Sequence, residues 1–412
     1  MKFSRKIAPE INLKQNFITK KRLREDEINF ERLRSYRLDR VKKELEKNNL
    51  EACILFDPVN VRYALDSVNM SVYNMHNLTR YCFVPVNGPV ILYEYFNCEI
   101  LSSHLNLIDE IRPAITWDYF SNGDKASLEL KKWINEVLDL SKKYFKSKKI
   151  AIDVLNGPAV TDLNKNGIEV VDAKSILEQA RVIKSTDELI CMKAAIDVAE
   201  IGISKMRSEL KPGMTEDELW SILHKTNIEH GGEWIECRIL SSGQRTNPWM
   251  QESSNKVIQH GEMVGFDTDM VGPYGYCADI SRSFVVDNKF NEEQKKLYSM
   301  AIEQIDYNSK LIKNGMAFKE FVEKSWVLPQ EYYPNRYSVM VHGIGLCDEW
   351  PAIRYPTDGG EKTGVFRKNM TITVESYIGK VGGKEGVKLE QQYLVGENGL
   401  ELMSHHPLED IR

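Results

Sequence analysis

Residues 265–281, GFDTDMVGPYGYCADIS, place three aspartates and no lysine or arginine in a stretch that is otherwise apolar enough for the interior of a sheet. Side chains alternate between the two faces of a strand, so Asp267 and Asp269 are predicted to share one face. The glycines and proline of VGPYG are typical of a turn, which predicts a hairpin whose second arm carries Asp279. The stretch is therefore predicted to bring three carboxylates together on a half-buried sheet.

Converging carboxylates repel one another, and each raises the pKa of the others unless a cation lies between them. A metal site is the simplest explanation for three of them on a half-buried hairpin. The alternative is a set of surface carboxylates on an edge hairpin, which needs no ion.

Residues of the same chemistry follow along the chain. His342 ends an apolar run, and Glu375 and Glu390 lie in the strand patterns MTITVESYIG (370–379) and GVKLEQQYLV (386–395). A lone histidine in this setting can be structural, and a lone glutamate can mark an edge strand. Together with the aspartates they favour a site for hard or borderline divalent ions such as manganese, iron or zinc, and bridging carboxylates suit two such ions.

The length of 412 residues predicts two domains. Residues 1–30 are predicted to be a basic N-terminal arm. Residues 31–180 read as an α/β domain with helices near 31–48 and 124–145 and with ACILFD, GPVILYEY and KIAIDV as strands. Residues 181–412 read as an α+β domain whose first helix is capped by Ser185 or Thr186.

Composition narrows the classes of function and partner. The net charge of −5 gives no reason to expect nucleic acid or an anionic membrane as a partner. No run of about 18 apolar residues predicts a membrane span, and the basic start has no apolar segment of a secretion signal. The seven scattered cysteines contain no CxxC pair, so reduced thiols in a cytoplasmic protein are expected.

The order of acidic residues and histidine, in a domain introduced by RVIKSTDE, resembles the pita-bread metalloenzymes: methionine aminopeptidase, aminopeptidase P, prolidase and creatinase. The resemblance implies an α+β pita-bread catalytic domain after a smaller creatinase-type α/β domain, and a homodimer. It also implies a dinuclear metal centre in which Asp279 and Glu390 bridge the ions. The residues that match the ligand positions of this superfamily are Asp267, Asp279, His342, Glu375 and Glu390.

Two departures from the peptidases of this fold bear on function. Peptidases carry a second histidine seven residues after the ligand histidine, where this chain has Glu349. They carry another histidine well before the first ligand aspartate, but residues 241–258 contain none. Without these imidazoles a peptide carbonyl lacks its usual donors and proton shuttle, so peptidase activity is not expected.

Four long stretches resemble the DddP family of dimethylsulfoniopropionate lyases: FDPVNVRYALDSVNM, GGEWIECRILSSGQRTNPWMQE, FDTDMVGPYGYCADISRSF and HGIGLCDEWP. This resemblance implies that Asp269 joins the metal ligands and that iron is the favoured ion. It assigns Asp348 as the catalytic base and Tyr337 as a second catalytic residue in contact with the substrate. The alternative for Asp348 is an ordinary loop or capping aspartate.

The implied reaction is a β-elimination of a small zwitterionic sulfonium compound to dimethyl sulfide and acrylate. A raised carboxylate pKa suits removal of the proton α to the substrate carboxylate, and a metal stabilises the developing charge. Trp249, Tyr337 and Trp350 flank the metal segments, and aromatic faces bind cations, although core packing is the alternative for each of them.

Two other functions are compatible with the same residues. A metallohydrolase of this fold, similar to Xaa-Pro peptidases, creatinase or ectoine hydrolase, could act on another small zwitterion, with Asp348 or Glu349 activating a water. A non-catalytic pita-bread binding module is the second alternative. Such modules usually lose metal ligands, whereas this chain keeps a full set.

Overall fold

A computed structural model describes residues 19–360 and 362–411. Most of the predicted basic arm, residues 1–18, lies outside the described residues. The chain divides into two compact units, the first containing Asn29–Arg181 and the second Lys21–Ile28 with Val182–Arg412. Residues 21–28 thus belong to the second unit, where the Tyr274 hydroxyl donates to the Leu23 carbonyl at 2.8 Å.

The first unit is an α/β layer structure built on one mixed sheet. Its elements are α1 (Phe30–Lys47), β1 (Ala52–Leu55), α2 (Pro58–Leu65), α3 (Ser71–Asn74), β2 (Tyr81–Pro85), β3 (Ile91–Glu94), β4 (Glu110–Pro113), α4 (Tyr119–Asn122), α5 (Ala126–Tyr144), β5 (Lys149–Ile152), α6 (Gly157–Lys165), β6 (Glu169–Asp172) and α7 (Lys174–Arg181). In spatial order the strands are β4-β3-β2-β1-β5-β6, with β1 parallel to β5 and antiparallel to β2.

Aromatic packing fills the core of this unit. Helix α5 buries Leu130, Trp133 and Val137 along one face, at the helical spacing of three and four residues. The ring of Trp133 lies 4.5 Å from that of Trp117, and Phe56 packs on both. The helices and strands predicted here from periodicity are confirmed.

The described residues of the second unit combine helices with antiparallel sheets. The elements are α8 (Thr186–Glu209), α9 (Glu216–Glu229), β7 (Leu240–Ser242), β8 (Met263–Phe266), β9 (Met270–Val271), β10 (Cys277–Ala278), β11 (Arg282–Val285), α10 (Glu292–Leu311), α11 (Phe318–Lys324), β12 (Val339–Ile344), β13 (Asp348–Arg354), β14 (Thr371–Ile378), β15 (Val387–Val395) and β16 (Leu400–Leu402). The strands form three sheets, in the orders β13-β12-β14-β15-β16, β11-β8-β7 and β10-β9.

Helix α8 starts where the sequence predicts. Ser185 forms a capping box with Glu188, each side chain accepting the other's backbone N–H. Close packing against α8 explains Gly272 in the aspartate hairpin, because a side chain there would collide with Ala195.

The large sheet buries one face under α10 and leaves the other face to carry polar residues. Leu297, Ala301 and Ile305 of α10 belong to the same core as Ile372 and Val374 of β14. In strands, alternate residues point to opposite faces, so Thr373 and Glu375 point away from this core. Among the described residues, no helix is both long enough and apolar enough to cross a membrane.

Candidate metal centre

The aspartate hairpin forms as predicted, but not from one continuous strand. Strand β8 ends at Phe266, pairing resumes between β9 and β10, and Asp269 takes a left-handed backbone with φ of 32°. The prediction of regular alternation is therefore wrong in this detail. The physical reason is Thr268, whose hydroxyl donates to the Ala278 carbonyl at 2.7 Å and accepts from Ile280 N at 2.9 Å, replacing the backbone ladder.

The three aspartates still converge. One oxygen from each of Asp267, Asp269 and Asp279 lies within 4.8 Å of the others. A second group with the same spacing contains Asp279, His342 and Glu390. Asp279 belongs to both groups, which is the position expected of a carboxylate between two ions.

Strand register brings the remaining candidates to the same place. His342 in β12 pairs with Thr373 in β14, and Glu375 in β14 lies directly opposite Glu390 in β15. The Nε2 atom of His342 is 3.3 Å from Asp279 Oδ2, 3.4 Å from Glu390 Oε1 and 3.7 Å from Glu375 Oε1. Residues on neighbouring strands thus form a cage of carboxylates around one imidazole.

The orientation of His342 suits metal binding. Its Nδ1 lies 3.0 Å from the carbonyl of Gly343, so this nitrogen carries the proton in the neutral ring and Nε2 presents a lone pair to the cage. A side chain at residue 343 would collide with the Trp350 carbonyl, which explains the glycine.

Three oxygens in the cage have no hydrogen-bond partner among the described residues. They are Asp279 Oδ1, Glu375 Oε1 and Glu390 Oε1, all buried. Burial raises the pKa of Glu375 to about 8, and burial followed by the negative charge of Glu390 raises the pKa of Asp279 well above its ordinary value. Buried acceptors without donors fit a divalent cation, so the residues present can hold a metal.

Lys388 is a residue of this site that the sequence analysis missed. Its side chain is fully buried, and its Nζ lies 2.8 Å from Glu390 Oε2, 3.0 Å from Glu375 Oε2 and 3.3 Å from Asp267 Oδ2. The period of a strand could have revealed it, because Lys388 precedes Glu390 by two residues and shares its face.

Asp348 lies beside His342, on the Nδ1 side of the imidazole. It begins β13, its Oδ1 is 3.7 Å from His342 Nδ1, and 63 % of its side chain is exposed. Desolvation by the surrounding protein raises the pKa of its carboxyl, although the imidazole of His342 opposes this effect. A carboxylate with these properties can take a proton from a small molecule held beside the cage.

The candidate aromatic residues occupy two environments. Trp249 is buried with Tyr377, and Tyr337 packs against the same cluster. The rings of Trp249 and Tyr337 have their centres 5.3 Å and 5.6 Å from Lys388 Nζ, so both border the cage. Trp350 instead packs its ring on Phe318, 5.3 Å away, at the edge of the hydrophobic core.

Glu349 lies where the peptidases have a histidine, and its carboxylate is engaged elsewhere. It forms a fully buried ion pair with Lys184, with 2.7 Å between Oε2 and Nζ, and its Oε1 accepts the Leu346 N–H. This position is therefore used for an internal ion pair.

Comparisons with known proteins agree with this architecture. Residues 190–397 match the model of metallopeptidase family M24. The dimethylsulfoniopropionate lyases DddP of Roseovarius nubinhibens and Roseobacter denitrificans are each 35 % identical, over 92 % of this chain and 87 % and 86 % of their own lengths.

A solved structure of an Xaa-Pro dipeptidase from Bacillus anthracis has a TM-score of 0.75 and 21 % identity, covering 92 % of this chain and 99 % of its own. It shows that the fold is the pita-bread fold of prolidase and aminopeptidase P. The chain belongs to metallopeptidase family M24 and, within that family, to the carbon–sulfur lyases of the DddP type.

Proposed function

We propose that this protein cleaves dimethylsulfoniopropionate to dimethyl sulfide and acrylate by β-elimination. The observation that carries the proposal is the position of Asp348, an exposed carboxylate with a raised pKa that lies 3.7 Å from the imidazole of His342. The family membership supports the same substrate, because both DddP relatives are named for it.

Six residues would hold two divalent ions, of which iron is the first to test: Asp267, Asp269, Asp279, His342, Glu375 and Glu390. When bound, the ions would supply Lewis-acid stabilisation at the carboxylate end of the substrate. Five carboxylates and one imidazole suit iron, manganese and zinc.

The chain's own residues carry the proton and orient the substrate. Asp348 takes the proton from the carbon α to the substrate carboxylate. The released electron pair forms the carbon–carbon double bond, the carbon–sulfur bond breaks, and dimethyl sulfide leaves with the sulfur electron pair. The proton stays on Asp348 until it passes to solvent, which the exposure of this side chain permits.

Three aromatic residues are proposed to receive the sulfonium. The ring centres of Tyr337 and Trp249 lie 5.6 Å and 5.3 Å from Lys388 Nζ at the cage. Trp350, whose ring packs on Phe318, follows Asp348 by two residues in β13. Tyr337 is also the second proposed catalytic residue, because its hydroxyl could contact the reacting end of the substrate.

The products formed from dimethylsulfoniopropionate distinguish elimination from hydrolysis. Proton NMR of metal-loaded protein with dimethylsulfoniopropionate is expected to show acrylate and dimethyl sulfide in equal amounts. Formation of 3-hydroxypropionate would mean that water attacks the substrate, and the elimination would be wrong. The ion pair of Glu349 with Lys184 argues against a water-activating role for that glutamate.

Two substitutions of Tyr337 distinguish the contribution of its ring from that of its hydroxyl. Tyr337→Leu is expected to raise KM by roughly 2- to 30-fold, the equivalent of about 0.5 to 2 kcal/mol of cation–π attraction. Tyr337→Phe keeps the ring, so its KM should stay near the wild-type value. Steady-state kinetics of both variants check this, and an equal KM for Leu and wild type would remove the ring from the substrate site.

The pH profile should report Asp348. A base must be deprotonated to act, so kcat/KM is expected to fall as the pH falls through the pKa of this carboxyl. Because that pKa is raised, the loss should occur above the ordinary aspartate value of about 3.9. An acid limb at the ordinary value would contradict the assignment.

A further inference from the structure

Lys388 occupies a position that the proposed elimination does not explain. Its ammonium contacts one oxygen of each of three carboxylates, Asp267, Glu375 and Glu390, at 3.3, 3.0 and 2.8 Å. Its side chain has no exposed surface, so it cannot reach a substrate in the cleft.

The surroundings fix the ammonium in place. Ser281 Oγ lies 2.8 Å from Nζ and itself donates to Glu390 Oε2 at 2.9 Å. The rings of Trp249 and Tyr337 border the remaining sides. Lys388 is therefore held by several groups rather than by one flexible ion pair.

The carboxylates divide their oxygens between the lysine and the cage. The Oε2 atoms of Glu375 and Glu390 contact Lys388 Nζ. The Oε1 atom of each is buried and has no hydrogen bond among the described residues. Asp267 gives Oδ2 to Lys388, and its Oδ1 accepts the Thr268 N–H at 3.1 Å. An ion that enters the cage can thus bind the free oxygens of the two glutamates without displacing the lysine.

Charge balance leads to the same arrangement. The two ligand groups contain four carboxylates, and Glu375 is a fifth. When all are ionised, they carry five negative charges. One ammonium and two divalent ions carry five positive charges. Without metal, Lys388 is the cation nearest to three of these carboxylates, and a buried charge without a partner is strongly destabilising.

We propose that Lys388 is a built-in counter-ion of the metal cage, which holds Asp267, Glu375 and Glu390 in ligand position before metal binds and stays in place afterwards. This inference rests on the metal centre proposed above. It makes Lys388 a positioning residue, and it predicts that the lysine and the metal partly replace each other in stabilising the fold.

The test is the thermal midpoint of the full chain with and without metal. Wild type, Lys388→Met and Lys388→Gln are each measured after chelation and after loading with manganese(II), with metal content determined by mass spectrometry. Both substitutions should lower the midpoint of the metal-free protein by about 5 °C or more beyond their effect on the manganese-loaded protein. Gln keeps a hydrogen-bond donor without charge, so equal behaviour of Met and Gln identifies the charge as the cause.

Lys184→Met is the matched control. It also removes a lysine from a fully buried ion pair, but its partner Glu349 is outside the proposed ligand set. Its midpoint should fall equally in the metal-free and the manganese-loaded protein.

Each result decides the question. A Lys388 variant that folds only with manganese present would support the inference in its strongest form. An equal fall in both states, or no fall in either, would overturn it while leaving the proposed function intact. A wild type that binds no manganese would overturn the metal centre and the inference together.

Discussion

Asp348→Asn should reduce the rate of dimethyl sulfide release by roughly 10³-fold, within the range of about 10²- to 10⁴-fold for loss of a general base. The amide has nearly the same shape and cannot accept the proton from the α carbon. The carboxyl of Asp348 is outside both ligand groups and is 63 % exposed, so the metal content should not change. Gas chromatography and metal analysis of the same sample check the two halves of this prediction.

Asp306→Asn provides the control for Asp348→Asn. Asp306 is an exposed carboxylate on α10 that pairs with Lys310 at 2.6 Å. Its loss should leave both activity and metal content unchanged. If Asp348→Asn kept most of the activity, another group would have to be the base.

The second large effect is expected from Asp279→Asn. This carboxylate belongs to both ligand groups and is almost completely buried, with Oδ1 free of hydrogen bonds to the described residues. An amide removes its charge from both groups at once. Bound metal should therefore fall close to zero, and lyase activity should fall with it.

Asp269→Asn is the comparison for the loss of bound metal in Asp279→Asn, because Asp269 belongs only to the group of three aspartates. This variant should retain about one ion per chain if each group holds one ion. Metal analysis after loading and gel filtration distinguishes the variants. Equal metal content in Asp279→Asn and wild type would show that Asp279 does not hold the ions.

Part of the cage follows from the sequence, because strand patterns and a hairpin turn predict that its carboxylates lie on neighbouring strands. Glu375 and Glu390 were identified in separate strand patterns, and the register places them directly opposite each other. The hairpin around Asp267 and Asp279 was also expected. The strand break after Phe266 was not, because it depends on a side-chain hydrogen bond from Thr268 to a residue ten positions away.

Other features depend on contacts between distant residues. The sequence alone allows Glu349 to activate a water, but in the fold Lys184, 165 residues away, binds its carboxylate. Lys388 was visible in the sequence, yet a lysine in a strand usually faces solvent. Only the fold shows that its face of β15 is the face of the cage.

Headspace gas chromatography for dimethyl sulfide shows whether the protein carries out a metal-dependent elimination. Purified protein is given dimethylsulfoniopropionate as a metal-loaded sample, after complete chelation, and after reloading with iron(II). We expect release from the loaded sample, loss of release on chelation and recovery on reloading. Absence of release from fully loaded protein would mean that the protein is not a dimethylsulfoniopropionate lyase, and release that survives complete removal of metal would mean that the elimination needs no metal.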